Sequence, residues 1–158
     1  MKRVPKCLRH PLWLVAVVLL AWYLSFGYKY GFIYNHGISM QPTISNGEWI
    51  IMQKRSAMKE GWTPDRYDVV IIDDVKSGET LSKRIIGLPG DTIEVREGVV
   101  YLNGKELEDP FGKGKVEMTS HEEEKVIEGH VWVIGDNRAE SWHGMLPIGD
   151  IEGLAVIY

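Results

Sequence analysis

At 158 residues the chain has room for one domain and a small appendage, and its ordinary globular composition excludes disorder throughout. The formal charge of −4 is unevenly spread: residues 1–30 carry five basic residues and no acid, leaving 13 basic residues against 22 acids, a net of −9, in the remainder. That balance argues against nucleic acid as a partner, because phosphates call for a basic face, and the single Cys7 excludes an intramolecular disulfide framework and any multi-cysteine metal site.

In chain order, the basic tail "MKRVPKCLRH" (1–10) leads into "PLWLVAVVLLAWYLSFGY" (11–28), which carries no charge. A membrane-spanning helix needs about 17 to 25 mostly apolar residues, and Trp13, Trp22, Tyr23 and Tyr28 suit the interfaces of a bilayer. Residues 11–28 therefore read as a transmembrane anchor. The basic tail places the N-terminus in the cytoplasm and residues 29–158 on the outer face of the plasma membrane. A cleavable secretory signal is the competing reading, with Ser25 and Gly27 as a small-x-small site, but the apolar run exceeds the usual ~7–15 residues.

Beyond the anchor the pattern is one of short strands between turn signals. Strands are predicted at 49–54, 67–73, 80–88, 130–137 and 154–158, with two hairpins within 92–107 turning at Glu97-Gly98 and Asn103-Gly104. The polar stretch 108–128 reads as a long loop or weak excursion. The expected fold class is mainly β: a transmembrane helix followed by an antiparallel β domain, a sandwich or partly closed barrel.

Three segments offer chemistry. Ser39 lies in "NHGISMQPTIS" (35–45), between Gly37, which permits an unusual φ, and Pro42, which stiffens the chain. A serine hydroxyl becomes a nucleophile only beside a base and near N–H donors for the oxyanion. Lys83 lies in "TLSKRIIGL", where alternation places it on one strand face with Leu81 and Ile85. Burial there would lower its pKa toward that of a usable base; a snorkelling lysine is the alternative. "GDNRAES" (135–141) reads as a turn that brings Ser141 with it. His36, His121, His130 and His143 are formal competitors as the base, and His121-Glu122 lacks the second histidine of a zinc-binding HExxH. Trp62, in "KEGWTPD", is either an exposed interfacial aromatic or a loop residue folded onto the domain.

Together and in order, these segments resemble the bacterial type I signal peptidases. "SMQPTI" is similar to that family's Ser-Met-x-Pro-Thr box, "RYDVVII" to its second box (with Tyr67 where Gly is usual), "KRIIGLPGDTIEV" to its lysine box, and "GDNRAES" to the start of its last box. The resemblance implies the signal-peptidase and repressor-autoprotease type of β fold, and a membrane serine endopeptidase that cleaves signal peptides with small residues before the cut. It implies Ser39 as nucleophile, Lys83 as general base, Gly37 in a backbone-based oxyanion turn and Ser141 as the hydroxyl orienting Lys83. Arg84 and Asp136 match structural positions, and Ile38 and Ile85 are expected to line the substrate pockets. No metal or organic cofactor is implied; the expected partners are preproteins and the lipid bilayer. One departure stands out. After Ser141 the family continues with an Asp and an Arg; ungapped, His143 and Met145 stand in their places, and with a short gap that aligns "HGMLP" with the family's Gly-x-Leu-Pro stretch neither has a counterpart. The loss of that charged pair would suit a specialised peptidase, as for pilin-like or conjugation proteins, or an inactive membrane-tethered binding domain.

Overall fold

The computed structural model of the chain describes residues 12–74, 79–117 and 120–158. The expected basic tail at 1–10, with Cys7, lies outside the described residues.

The first element is helix α1, Leu12–Lys29, an 18-residue apolar segment. Its Trp22, Tyr23, Leu24 and Tyr28 side chains are exposed, so no domain core covers it. Its rise is about 27 Å, just under the ~30 Å of a bilayer's hydrocarbon. Among the described residues no helix is long and apolar enough to cross a membrane. The C-terminal end of α1 rests on the β domain: Lys54 Nζ donates to the Gly27 carbonyl at 2.8 Å, and Tyr28 Oη donates to the Ser56 carbonyl at 3.3 Å.

The rest is antiparallel β structure in two sheets. The strands are β1 (Tyr30–Tyr34), β2 (Trp49–Lys54), β3 (Val69–Asp74), β4 (Glu79–Gly87), β5 (Thr92–Arg96), β6 (Val99–Leu102), β7 (Lys105–Glu106), β8 (Ser120–Lys125), β9 (His130–Ile134), β10 (His143–Pro147) and β11 (Ile151–Ile157). Seven form one sheet in the order β1-β2-β11-β3-β4-β9-β10, and four form the other in the order β7-β6-β5-β8. Both predicted hairpins occur. Their turn residues all take positive φ (Glu97 51°, Gly98 78°, Asn103 51°, Gly104 76°), which matches the right-handed twist of the flanking strands.

Stretch 108–128 is not all loop, because it contains β8, which pairs with β5. "SHEEEK" has no apolar alternation to announce it; as an edge strand it is held by backbone bonds to one neighbour. Strands β1 and β10 were not among the predicted strands either. β10 has Gly144 inside it and ends on Pro147, which an outer strand tolerates because one side makes no ladder.

Two buried apolar clusters fix the position of β4, and a third seats the Ser39 loop. Ile86 joins Ile93, Val95, Val100, Trp132 and Ile134 between the two sheets. Ile85 packs with Val70, Ile72, Val131, Val133, Leu146 and Ile151. Met40 and Ile44, just after Ser39, pack on Ile50, Val69 and Ile71. Strand β4 is thus buried on both faces from Ser82 to Gly87. Trp62 packs against the second of these clusters, with the Arg55 guanidinium 4.6 Å from its ring centre, so it is the folded-down loop residue of the two readings.

Candidate active site

Ser39 sits on a loop pinned at both ends. Met40 and Ile44 are its apolar pegs. Gly37 turns the chain at φ 104°, in the left-handed region that favours glycine, and its N–H donates to Asn46 Oδ1 at 2.9 Å. Asn35, buried and polar, ties the loop to the sheet. Its side-chain amide donates to the Ser45 carbonyl at 2.9 Å, and its Oδ1 accepts from Ser82 Oγ at 3.1 Å. Ser82 precedes Lys83, so this link sets the nucleophile's loop against the strand that carries the amine.

The two side chains meet. Lys83 Nζ donates to Ser39 Oγ at 2.7 Å. Lys83 is only 3% exposed. Burial pushes its pKa down to about 8, with Asp136 opposing the shift by attraction. An amine that is neutral in part near pH 7–8, in hydrogen-bond contact with a half-buried hydroxyl, has the geometry for proton transfer.

The loop after β9 closes the site from the other side. The Asn137 N–H donates to the Ser39 carbonyl at 3.0 Å, and Asn137 Nδ2 donates to the Ile38 carbonyl at 3.2 Å. Gly135 is required by close approach: a Cβ there would stand 2.2 Å from the Ser39 carbonyl oxygen and 2.5 Å from Ser141 Oγ. Gly135→Ala is expected to lower stability by roughly 1–3 kcal/mol and to displace the Ser39 loop, as thermal unfolding would measure.

Ser141 accepts from the Gly135 N–H at 2.6 Å and donates to the Trp142 carbonyl at 2.8 Å. Its hydroxyl proton is therefore directed at Trp142 and not at Lys83, and the serine braces the Gly135 backbone. Ile85, expected to line a substrate pocket, is 0% exposed inside the second cluster and offers no surface to a peptide, because strand alternation does not create a pocket where both faces are covered. Ile38, in contrast, is 43% exposed beside Ser39. His36 packs edge-on against Tyr34, and His143 lies beside Trp132.

Arg84 and Asp136 form a buried, two-pronged ion pair. Arg84 Nε donates to Asp136 Oδ1 at 2.7 Å and Nη2 to Oδ2 at 2.6 Å; the residues are 1% and 0% exposed. Arg84 Nη1 donates to the Tyr67 carbonyl at 2.8 Å, and the Phe111 ring lies over the guanidinium at 3.8 Å. A second buried pair, Arg138 with Asp109, lies nearby. Tyr67 takes φ 74°, in the left-handed region that favours glycine. Sequence reasoning missed Asn35, Gly135, Asn137 and Phe111, since hydrogen bonds and stacking between distant segments leave no periodic signal.

Among the described residues no group of His, Cys, Asp or Glu is arranged to hold a metal.

Comparison with known proteins identifies a family. Residues 8–158 match the family described as signal peptidase, peptidase S26. The chain is 37% identical over 113 residues to signal peptidase I U of Bacillus subtilis, a match covering 66% of this chain and 59% of that protein's length. It is 31% identical over 158 aligned positions to signal peptidase I of Bacillus caldolyticus, covering 89% of this chain and 84% of the relative. A solved signal peptidase I from Enterococcus faecalis V583 aligns with a TM-score of 0.46 and 27% identity, over 60% of this chain and 98% of that one. With most of its length matched, from Cys7's neighbour Leu8 to Tyr158, the chain belongs to the signal peptidase family, peptidase S26.

Proposed function

We propose that this chain is a serine endopeptidase that removes signal peptides from exported preproteins, with Ser39 as nucleophile and Lys83 as general base. The observation that carries this reading is the 2.7 Å contact between Lys83 Nζ and Ser39 Oγ inside a buried site. The neutral amine takes the hydroxyl proton as Oγ attacks the scissile carbonyl carbon. The Ser39 N–H, on the turn that Gly37 permits, donates to the oxyanion. Lys83 then returns the proton to the leaving amine, which departs with the mature chain. Water, deprotonated by the same amine, hydrolyses the remaining ester and frees the signal peptide.

Attachment to the bilayer belongs to this proposal. Helix α1 is apolar and exposed. Residues 11–28 serve as a single-pass anchor with 1–10 in the cytoplasm and 29–158, the catalytic domain, on the outer face, where a translocated signal peptide emerges. The peptide adds as an extended strand beside the Ser39 loop, and Ile38 contacts its small side chains. No cofactor is needed for this chemistry.

Cleavage of a preprotein by wild type, Ser39→Ala and Lys83→Ala tests the reading. Both variants are expected to lose at least about a thousandfold in rate, in line with the loss of a nucleophile or its base. Full activity in either would overturn it.

A further inference from the structure

The backbone N–H of Ser39 belongs to the same planar peptide group as the Ile38 carbonyl, and that carbonyl has two donors. The Gln41 N–H reaches it at 3.1 Å from within the turn, and Asn137 Nδ2 reaches it at 3.2 Å from a segment 99 residues away in sequence. Among the described residues the Ser39 N–H itself donates to no protein acceptor. The peptide is trans, since the cis bond in this loop is Gln41–Pro42. In a trans peptide the N–H points opposite to the C=O, and rotation about the C–N bond is blocked by ~18–20 kcal/mol. Fixing the carbonyl therefore fixes the direction of the N–H.

From this we infer that Asn137 is a positioning residue: its side-chain amide holds the Ile38 carbonyl so that the Ser39 N–H points at the developing oxyanion. The inference rests on the Ser39/Lys83 reading above and assigns a task to a residue which that reading leaves idle. Two features strengthen it. A carbonyl that accepts two hydrogen bonds polarises its peptide group, so the N–H at the other end becomes a better donor. The Asn137 backbone N–H also holds the next carbonyl, that of Ser39, at 3.0 Å, so one residue orients two successive peptide planes around the nucleophile. Because the backbone bond survives substitution of the side chain, the loop stays docked while the amide is removed.

The test uses the full-length chain in detergent micelles, with Asn137→Ala and Asn137→Asp. The aspartate keeps the side-chain shape and backbone bond but replaces the donor with an acceptor facing the Ile38 carbonyl. Loss of an oxyanion donor costs about 10²–10³ in kcat, so loss of its alignment is expected to lower kcat about ten- to a hundredfold. KM is expected to stay within about twofold, because a ground-state carbonyl gains little from the donor. Affinity for a peptide aldehyde, whose adduct with Ser39 Oγ places an oxygen in the same position, is expected to fall by the factor lost in kcat. In Asn137→Ala the pH midpoint of the acid limb stays in place, since Lys83 is untouched and no charge is added, whereas the carboxylate of Asn137→Asp moves it upward. Unchanged kcat, a loss confined to KM, unaltered aldehyde affinity or a shifted pH midpoint in Asn137→Ala would each overturn the inference. Asn137→Asp carries the test where Asn137→Ala melts below the assay temperature. Ser39→Ala, run alongside, separates the two levels. Cleavage by Ser39→Ala overturns the Ser/Lys reading itself, whereas normal kcat in the Asn137 variants beside an inactive Ser39→Ala overturns this inference alone.

Discussion

Cleavage of a preprotein is expected to rise with pH along a limb centred near pH 8, and Lys83→Met is expected to abolish that cleavage while making the fold more stable at pH 7. Both follow from one cause. Burial moves the Lys83 pKa from 10.5 to about 8, against the attraction of Asp136. At pH 7 about one molecule in eleven then carries a neutral amine, compared with about one in three thousand for a lysine of ordinary pKa. The folded chain binds this proton less tightly than the unfolded chain, so between pH 8 and 10.5 unfolding takes up a proton and stability rises with pH. Stability from the neutral amine is fully present above pH 10.5, declines as pH falls to 8, and below that the fold carries the whole cost of a buried ammonium. A shift of this size corresponds to about 3 kcal/mol. Methionine has similar length and no charge, so Lys83→Met relieves that cost and loses the hydrogen bond to Ser39, worth about 1 kcal/mol. The net expectation is a gain of about 1–2 kcal/mol at pH 7 that disappears by about pH 10. Thermal unfolding across this range, run beside kcat/KM against pH, reads both effects. A snorkelling lysine would show an unshifted limb and no stabilisation.

The parts of this site that the sequence makes legible are those with local chemistry. Asn-Gly and Glu-Gly mark two hairpins because positive φ is costly for most other residues, and both turns take it. The pairing of Ser39 with Lys83 followed from the order of the boxes that resemble the family, and the two atoms do meet at 2.7 Å. Strand alternation placed Lys83 and Ile85 on one face, correctly, but could not tell that β4, inside the seven-stranded sheet, is covered on both faces. Ile85 consequently fills the core and does not line a pocket. Ser141 was expected to act on Lys83, yet its hydroxyl bonds to Gly135 and Trp142, a choice set by the loop's backbone path and not by residue type. Strand β8 was missed because "SHEEEK" owes its conformation to the exposed edge of β5. Asn35 and Asn137 were missed for the same kind of reason: a polar residue that bonds across 47 or 99 positions has no short-range signature.

Removing Arg84 is expected to damage both the fold and the base. Arg84→Met leaves Asp136, at 0% exposure, as a buried carboxylate without its partner. Breaking a buried ion pair in this way costs about 3–5 kcal/mol. The same carboxylate attracts the Lys83 ammonium. With Arg84 in place, the guanidinium bonded to that carboxylate at 2.6 and 2.7 Å, with the Phe111 ring over it, offsets part of the attraction by its own positive charge. Without Arg84 the field of Asp136 acts on Lys83 undiminished, the ammonium is favoured, and the acid limb of kcat/KM moves upward by about one unit or more. Asp136→Asn acts in the opposite direction on the base: the attraction is gone, so the limb moves down, while the buried Arg84 loses its carboxylate and the fold is again weakened. The double variant Arg84→Met/Asp136→Asn removes both charges and is expected to recover most of the stability lost in either single variant. Its limb would lie near that of Asp136→Asn. Chemical denaturation and the pH dependence of kcat/KM on the four proteins close the cycle; additive losses of stability, or a limb that ignores Arg84, would show that the pair braces nothing. The result bears on the missing Asp and Arg after Ser141. Here one ion pair, roofed by Phe111 with Tyr67 beside it at 5.8 Å, holds the base-bearing strand to the loop that docks on Ser39. The second buried pair, Arg138 with Asp109, ties the same loop to the segment around Asp109 and makes no hydrogen bond to β4, so it should not spare the site the loss of Arg84 or Asp136.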